Sequence, residues 1–195
     1  MDVQQPGQPI TRVRAPRNPY VQLAALLGVA LVALIVTWFL IRGGNDASKV
    51  TLPPVGKPAI VGEAQLKKLA GESKLPVYWA GAKTGAAYEV TRASDGRVWV
   101  RYLQSPTQLG TRSAKYLTIG TYPAKAAFAS LRRAAARPGG VSVKIDNGGM
   151  LVFNTKIPRS VYFGYPAAKY EVEVYDPSAT QARSLVLGGK IAPIK

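Results

Sequence analysis

Val141-Ser142-Val143-Lys144-Ile145, Asp146-Asn147-Gly148-Gly149 and Met150-Leu151-Val152-Phe153 follow one another without a break, as residues 141–153. The first five alternate apolar and polar side chains, the next four tolerate a tight reversal, and the last four are apolar. That order predicts a β-hairpin: two antiparallel strands closed by an Asn-Gly turn. A second hairpin is predicted upstream, where Tyr88–Thr91 and Val98–Tyr102 flank Ser94-Asp95-Gly96. Leu75–Trp79, Tyr116–Ile119, Val161–Phe163 and Tyr170–Tyr175 read as further strands, and Lys190–Ile194 as a short one that would close the sheet.

Helical periodicity falls between these strands. Glu63–Ala70 carries Leu66 and Leu69 on one stripe and is expected to stop at Gly71. A second helix is expected from Pro123, as a first-turn proline, to about Arg137. Ala124, Ala127, Phe128, Leu131 and Ala135 share one of its faces. Arg132, Arg133 and Arg137 fall in its last turns, where cations complement the helix dipole. A third runs from Asp176-Pro177-Ser178, with Asp176 as cap, to Gly188-Gly189. Short helices among hairpins predict an α+β class: a compact, mainly antiparallel sheet domain with two or three short helices, residues 63–195. Val77-Tyr78-Trp79 before Tyr88-Glu89-Val90 echoes Val161-Tyr162-Phe163 before Tyr170-Glu171-Val172, which raises the question of two related halves.

Ahead of this domain, Val21–Ile41 is an apolar run in which Gln22 is the one strongly polar side chain. As a helix it would measure roughly 32 Å, about the thickness of a bilayer's hydrocarbon core. Tyr20 at one edge and Trp38 and Phe39 near the other suit the headgroup layers. Ala24 and Gly28 have the spacing that permits close helix approach, although a lipid-facing role explains them as well. The reading is a transmembrane helix over residues 19–42, a basic tail over 1–18 and a Gly/Pro-rich linker over 43–62. A cleaved signal peptide fits less well, because its apolar core is shorter and ends at a small-x-small site. Arg12, Arg14 and Arg17 on the short amino side favour a cytoplasmic amino terminus and an extracytoplasmic domain at the plasma membrane.

Composition narrows the chemistry. The 195 residues include no His and no Cys, which removes the usual zinc ligands, thiol nucleophiles, Ser-His-Asp triads and imidazole acid–base groups. No cofactor and no metal is expected. Net charge is +16; four of the 26 basic residues and one of the ten acids lie at or before Arg42, which leaves +13 on the remainder. A basic domain beside a membrane draws anionic lipid or acidic wall polymer. The charges are scattered, with no Lys/Arg block or nucleic-acid motif, so nucleic acid is not the expected partner.

Two groups of residues are candidates for a site. Glu171 and Glu173 share one face of a strand, where paired carboxylates could do acid–base work or simply form its wet side. The aromatic group is larger. Trp99 points opposite to Val98 and Val100, so one of the two sheet faces is expected to be partly wet or covered by a helix. Tyr78, Trp79, Trp99, Arg101, Tyr162 and Tyr165 are the expected interaction face, suited to a protein or glycan partner.

The strings Leu-Pro-Val-Tyr-Trp-Ala-Gly (75–81), Asp-Gly-Arg-Val-Trp-Val-Arg-Tyr-Leu (95–103), Leu-Thr-Ile-Gly-Thr-Tyr-Pro (117–123) and Tyr-Glu-Val-Glu-Val-Tyr-Asp-Pro-Ser (170–178) resemble a group of uncharacterised single-span membrane proteins of high-GC Gram-positive bacteria, over roughly residues 63–193. The resemblance implies a tethered domain and supplies no catalytic residues. The expected role is a membrane-anchored, non-enzymatic interaction or scaffold module facing the cell envelope. Its partners would be the lipid bilayer and another envelope protein or an anionic wall polymer. The alternatives are a cytoplasmic-facing binder of anionic lipid or nucleic acid, and an envelope enzyme working on carboxylates.

Overall fold

The structure, a computed structural model, describes residues 52–195. The expected tail, the span with Val21, Gly28, Trp38, Phe39 and Ile41, and most of the linker lie outside the described residues. Among the described residues, no helix is long and apolar enough to cross a membrane.

Among the described residues, ten strands and three α-helices follow in chain order: β1 (Ala59–Val61), α1 (Glu63–Glu72), β2 (Tyr78–Trp79), β3 (Ala87–Arg92), β4 (Val98–Leu103), β5 (Thr118–Pro123), α2 (Ala127–Ala135), β6 (Gly140–Lys144), β7 (Met150–Asn154), β8 (Ser160–Gly164), β9 (Tyr170–Tyr175), α3 (Ala179–Leu187) and β10 (Ala192–Pro193). Eight strands form one sheet in the order β1-β3-β4-β5-β9-β8-β7-β6, every pair antiparallel. The expected α+β class with a mainly antiparallel sheet is therefore what the domain adopts. Both hairpins form. In the second, Asn147 and Gly148 take φ of 56° and 70°, the left-handed pair that this turn requires.

Alternation along the strands sorts the two sheet faces. On one, register aligns Val90, Val100, Ile119, Val174 and Val161 across five strands, each no more than 1% exposed. Leu66 and Leu69 of α1 and Ala182 and Val186 of α3 close over this row in one cluster. Burying each large aliphatic side chain contributes about 1.5–3 kcal/mol. Of the helices, the other face receives α2, which packs on β6, β7, β8 and β9. Its Ala127 and Leu131 are buried, as is Val152, which alternates with the core residue Leu151.

Several element ends differ from expectation, each for a tertiary reason. Residues 59–61, read as linker, are the edge strand β1 paired to β3. Pro53 and Gly56 are fastened there too, through Arg92 Nε donating to Pro53 O (2.6 Å) and Gly56 N donating to Arg92 O (2.8 Å). Helix α1 passes through Gly71, because Ser73 Oγ donates to the Leu69 carbonyl (2.6 Å) and tidies the helix end. Pro76 has no N–H to give a ladder, and β2 shrinks to two residues. Thr121, Tyr122 and Pro123 continue β5 instead of starting α2, since β9 offers all three a partner. The cap of α3 is Ser178, whose Oγ accepts from Gln181 N (3.3 Å); Asp176 accepts from Ser178 N instead (2.8 Å). Strand β10 pairs with β2 in a separate ladder and leaves the main sheet unclosed. Of the two echoing segments, Tyr78-Trp79 stands in that ladder, outside the main sheet, whereas Val161–Phe163 lies within it.

One ion pair secures the long connection from β4 to β5. Glu89 is 2% exposed and faces Arg101 across the β3–β4 register. Arg101 Nη1 donates to Glu89 Oε1 (2.7 Å) and to the Thr111 carbonyl (2.9 Å), and Nη2 donates to the Ser113 carbonyl (3.1 Å). Gly110 N donates to Glu89 Oε2 (2.6 Å). The loop is thereby tied across the sheet by charge-assisted bonds. Replacing Arg101 by Met strands the buried carboxylate, so a loss of about 3 kcal/mol in urea unfolding is expected. The double variant Glu89→Leu/Arg101→Met should lose less than the single one.

Candidate functional site

Between α2 and the tethered loop, the second sheet face carries a polar and aromatic strip. Register places Trp99, Gly120, Glu173 and Tyr162 side by side on β4, β5, β9 and β8. Gly120 leaves a gap in that row, and Tyr122, two residues on, folds its ring back into it. A Cβ on Gly120 would stand 2.5–2.8 Å from the Tyr122 ring and hydroxyl, closer than any side chain permits.

The Tyr122 hydroxyl thereby reaches both neighbours of the gap. It accepts from Trp99 Nε1 (2.9 Å) and donates to Glu173 Oε2 (2.5 Å). Glu173 Oε1 accepts from Ser160 Oγ (2.7 Å) and from the Tyr162 hydroxyl (3.0 Å). A carboxylate offers about four lone-pair sites. Three are filled here, which orients Glu173 rigidly and leaves one acceptor position open. Burial, reinforced by the bond to Glu173, pushes the Tyr122 phenol well above its usual range. Burial and the Glu173 charge lift Tyr162 to about 12. Both phenols therefore stay protonated donors at any physiological pH.

Charged groups of opposite sign border the strip. Arg97 lies over the Trp99 ring at 5.3 Å and pairs with Asp95 at 2.8 Å. Glu171 shares the face of Glu173, as expected from the two-residue period, and accepts no hydrogen bond among the described residues. Burial first, and the Glu173 charge second, raise its pKa. Trp99, Tyr122, Tyr162, Glu171 and Glu173 are all half-buried, so the strip is ordered yet open to solvent.

The six residues expected to form an interaction face do not share one surface. Trp99 and Tyr162 belong to the strip. Arg101 is spent on Glu89 and the loop carbonyls, with its guanidinium 5.5 Å from the Tyr116 ring. Tyr78 is 5% exposed on the opposite side of the sheet. Its hydroxyl sits 3.1 Å from that of Tyr170, and burial pushes its phenol far up. Trp79 packs edge-on against Tyr88 at 6.0 Å, and Tyr165 against Phe163 at 6.2 Å. Tyr122 and Ser160 were absent from the expected set. Strand alternation places Tyr122 beside Glu173 only once β5 is known to pair with β9. Among the described residues, no group of three or more acids could hold a metal ion.

Gly120→Ala should expel the Tyr122 ring from the row. The expected result is a loss of about 1–3 kcal/mol and a shift in Trp99 fluorescence, read by urea unfolding and emission spectra. Glu171 gives a pH-dependent test. Its raised folded pKa means that ionisation opposes folding, a penalty absent below the unfolded value near 4.5 and complete above the folded one. Glu171→Gln should therefore stabilise at pH 7, and the gain should vanish as pH falls to about 4, followed by denaturant midpoints across that range. No family model, no curated protein and no solved structure matches the chain, so its function rests on this geometry and on the sequence.

Proposed function

We propose that this chain is a membrane-anchored, non-enzymatic binding module whose domain faces the cell envelope and engages the glycan of an anionic wall polymer. The observation that carries the reading is the strip itself. An indole ring and two phenols stand in a row around a fixed carboxylate with one acceptor site to spare. Aromatic rings supply the flat apolar faces on which sugar rings stack, and a rigid carboxylate orients their hydroxyls. The +13 charge beyond Arg42 supports attraction to an acidic polymer at longer range. The apolar run Val21–Ile41 supports the anchor, and the arginines before it support the orientation.

A carboxylate enzyme is the second reading, favoured by the raised pKa of Glu171 beside Glu173. It ranks lower because three hydroxyl donors hold Glu173 as an acceptor, leaving it poorly placed to exchange protons.

Purified full-length chain in neutral detergent should cosediment with isolated cell walls. Trp99→Ala and Tyr162→Ala should each weaken that binding by about tenfold, since a stacked ring in an interface contributes on the order of 1–2 kcal/mol. Equal sedimentation of parent and variants would remove the strip from the binding surface. Orientation is tested separately by adding protease to intact cells: digestion of the domain is expected, and protection until lysis would favour the cytoplasmic-facing alternative.

A further inference from the structure

A cavity of about 550 Å³ opens on the other side of the sheet from the strip, between the end of α1, the β3–β4 turn and the first described residues. Its lining is apolar, formed by Leu52, Leu69, Leu75, Val98 and Pro123, with the exposed Val55 at its mouth. Lys74, Arg92 and Lys169 stand around it, with Glu72 and Asp95 as the acids. Both acids already have cationic partners: Glu72 pairs with Lys68 at 3.8 Å and Asp95 with Arg97 at 2.8 Å. Neither Lys74 nor Lys169 pairs with an acid among the described residues, and both are exposed. The cavity is thus greasy within and positive at its rim.

Its wall at Leu52–Val55 is also where the described chain begins. Arg92 Nε clamps that wall through the Pro53 carbonyl at 2.6 Å. Only residues 42–51 separate it from the apolar run ending at Ile41. Ten residues reach at most ~35 Å when fully extended. If the run is an anchor, lipid is the most concentrated amphiphile within that reach. The geometry points to this cavity as a binding site for a single-chain lipid with an anionic head, such as a fatty acid or a lysophospholipid. The acyl chain lies among Leu52, Leu69, Leu75 and Val98, and the head meets Lys74 and Lys169. A volume of this size is ordinary for a small-molecule site. The inference takes from the anchored reading only that lipid is close at hand.

The test is photolabelling of the purified full-length chain in neutral detergent micelles with a diazirine-bearing palmitate, followed by peptide mapping. Adducts are expected in 52–55, 69–75 and 92–98. Lysophosphatidylglycerol should compete them away, whereas uncharged monooleoylglycerol should compete poorly. The double variant Lys74→Glu/Lys169→Glu, at two exposed positions that leave the core untouched, should lower these adducts by about tenfold. Val55→Trp, also at an exposed position, should block the mouth. Adducts absent from the cavity peptides would overturn the site, as would labelling indifferent to the charge reversal or a cavity closed by residues 42–51 or by a second copy. Labelling of 21–41 bears on the anchor alone, so the two readings fail separately.

Discussion

The pairing of β5 with β9 is the constraint on which the rest of the domain depends. Six residues of each strand align, from Thr118 opposite Tyr175 to Pro123 opposite Tyr170. On one side of this seam lie β1, β3 and β4, and on the other β8, β7 and β6, each a run of neighbouring antiparallel strands. Without the seam, Ile119 and Val174 would each face water along one edge, and neither half would have a core deep enough to receive α1 and α3. The same six pairs bring Gly120 opposite Glu173. That one juxtaposition converts a gap in the row into the pocket for the Tyr122 ring, and so builds the polar strip on the far face while the near face builds the core.

The two faces solve different physical problems. The near face is covered by α1 and α3 and has its apolar rows in register, so its stability comes from area removed from water. The far face is covered only in part, by α2 at one end and by the loop that Glu89 and Arg101 hold at the other. Its middle carries hydroxyls, an indole and carboxylates that satisfy one another while remaining open to solvent. Binding surfaces commonly have this character, preorganised yet hydrated, because a side chain already held in place loses little freedom when a partner arrives. The Arg101 bonds matter to that surface indirectly: they fix the β4–β5 connection that covers its end.

Much of this architecture was legible in the amino-acid order, wherever the signal is local. Asn147-Gly148 and Asp95-Gly96 announce their hairpins, and the alternation of Tyr170–Tyr175 correctly puts Glu171 and Glu173 on one face. Leu66, Leu69 and Leu131 were readable as buried from their helical spacing. What escaped was set by partners distant in sequence. Ala59–Val61 is too short to stand out in a Gly/Pro-rich stretch and becomes a strand only because β3 is there to pair with it. Thr121-Tyr122-Pro123 looks like the approach to a helix, yet β9 draws it into the sheet. Tyr122 therefore dropped out of the expected site, while Tyr78 and Arg101 entered it on aromaticity and charge that the fold uses for core packing and for the loop.

The seam also dictates a schedule. A chain made from its amino end completes β3, β4 and β5 about fifty residues before β9 exists, and until then β5 is a bare edge with unpaired backbone groups. Closing that distance is slow compared with forming either hairpin. The first half must therefore wait, partly formed and adhesive, for the second. Any truncation between α2 and β9 leaves a sheet edge seeking another strand, and the nearest candidate in a crowded cell is the same edge on a sister chain.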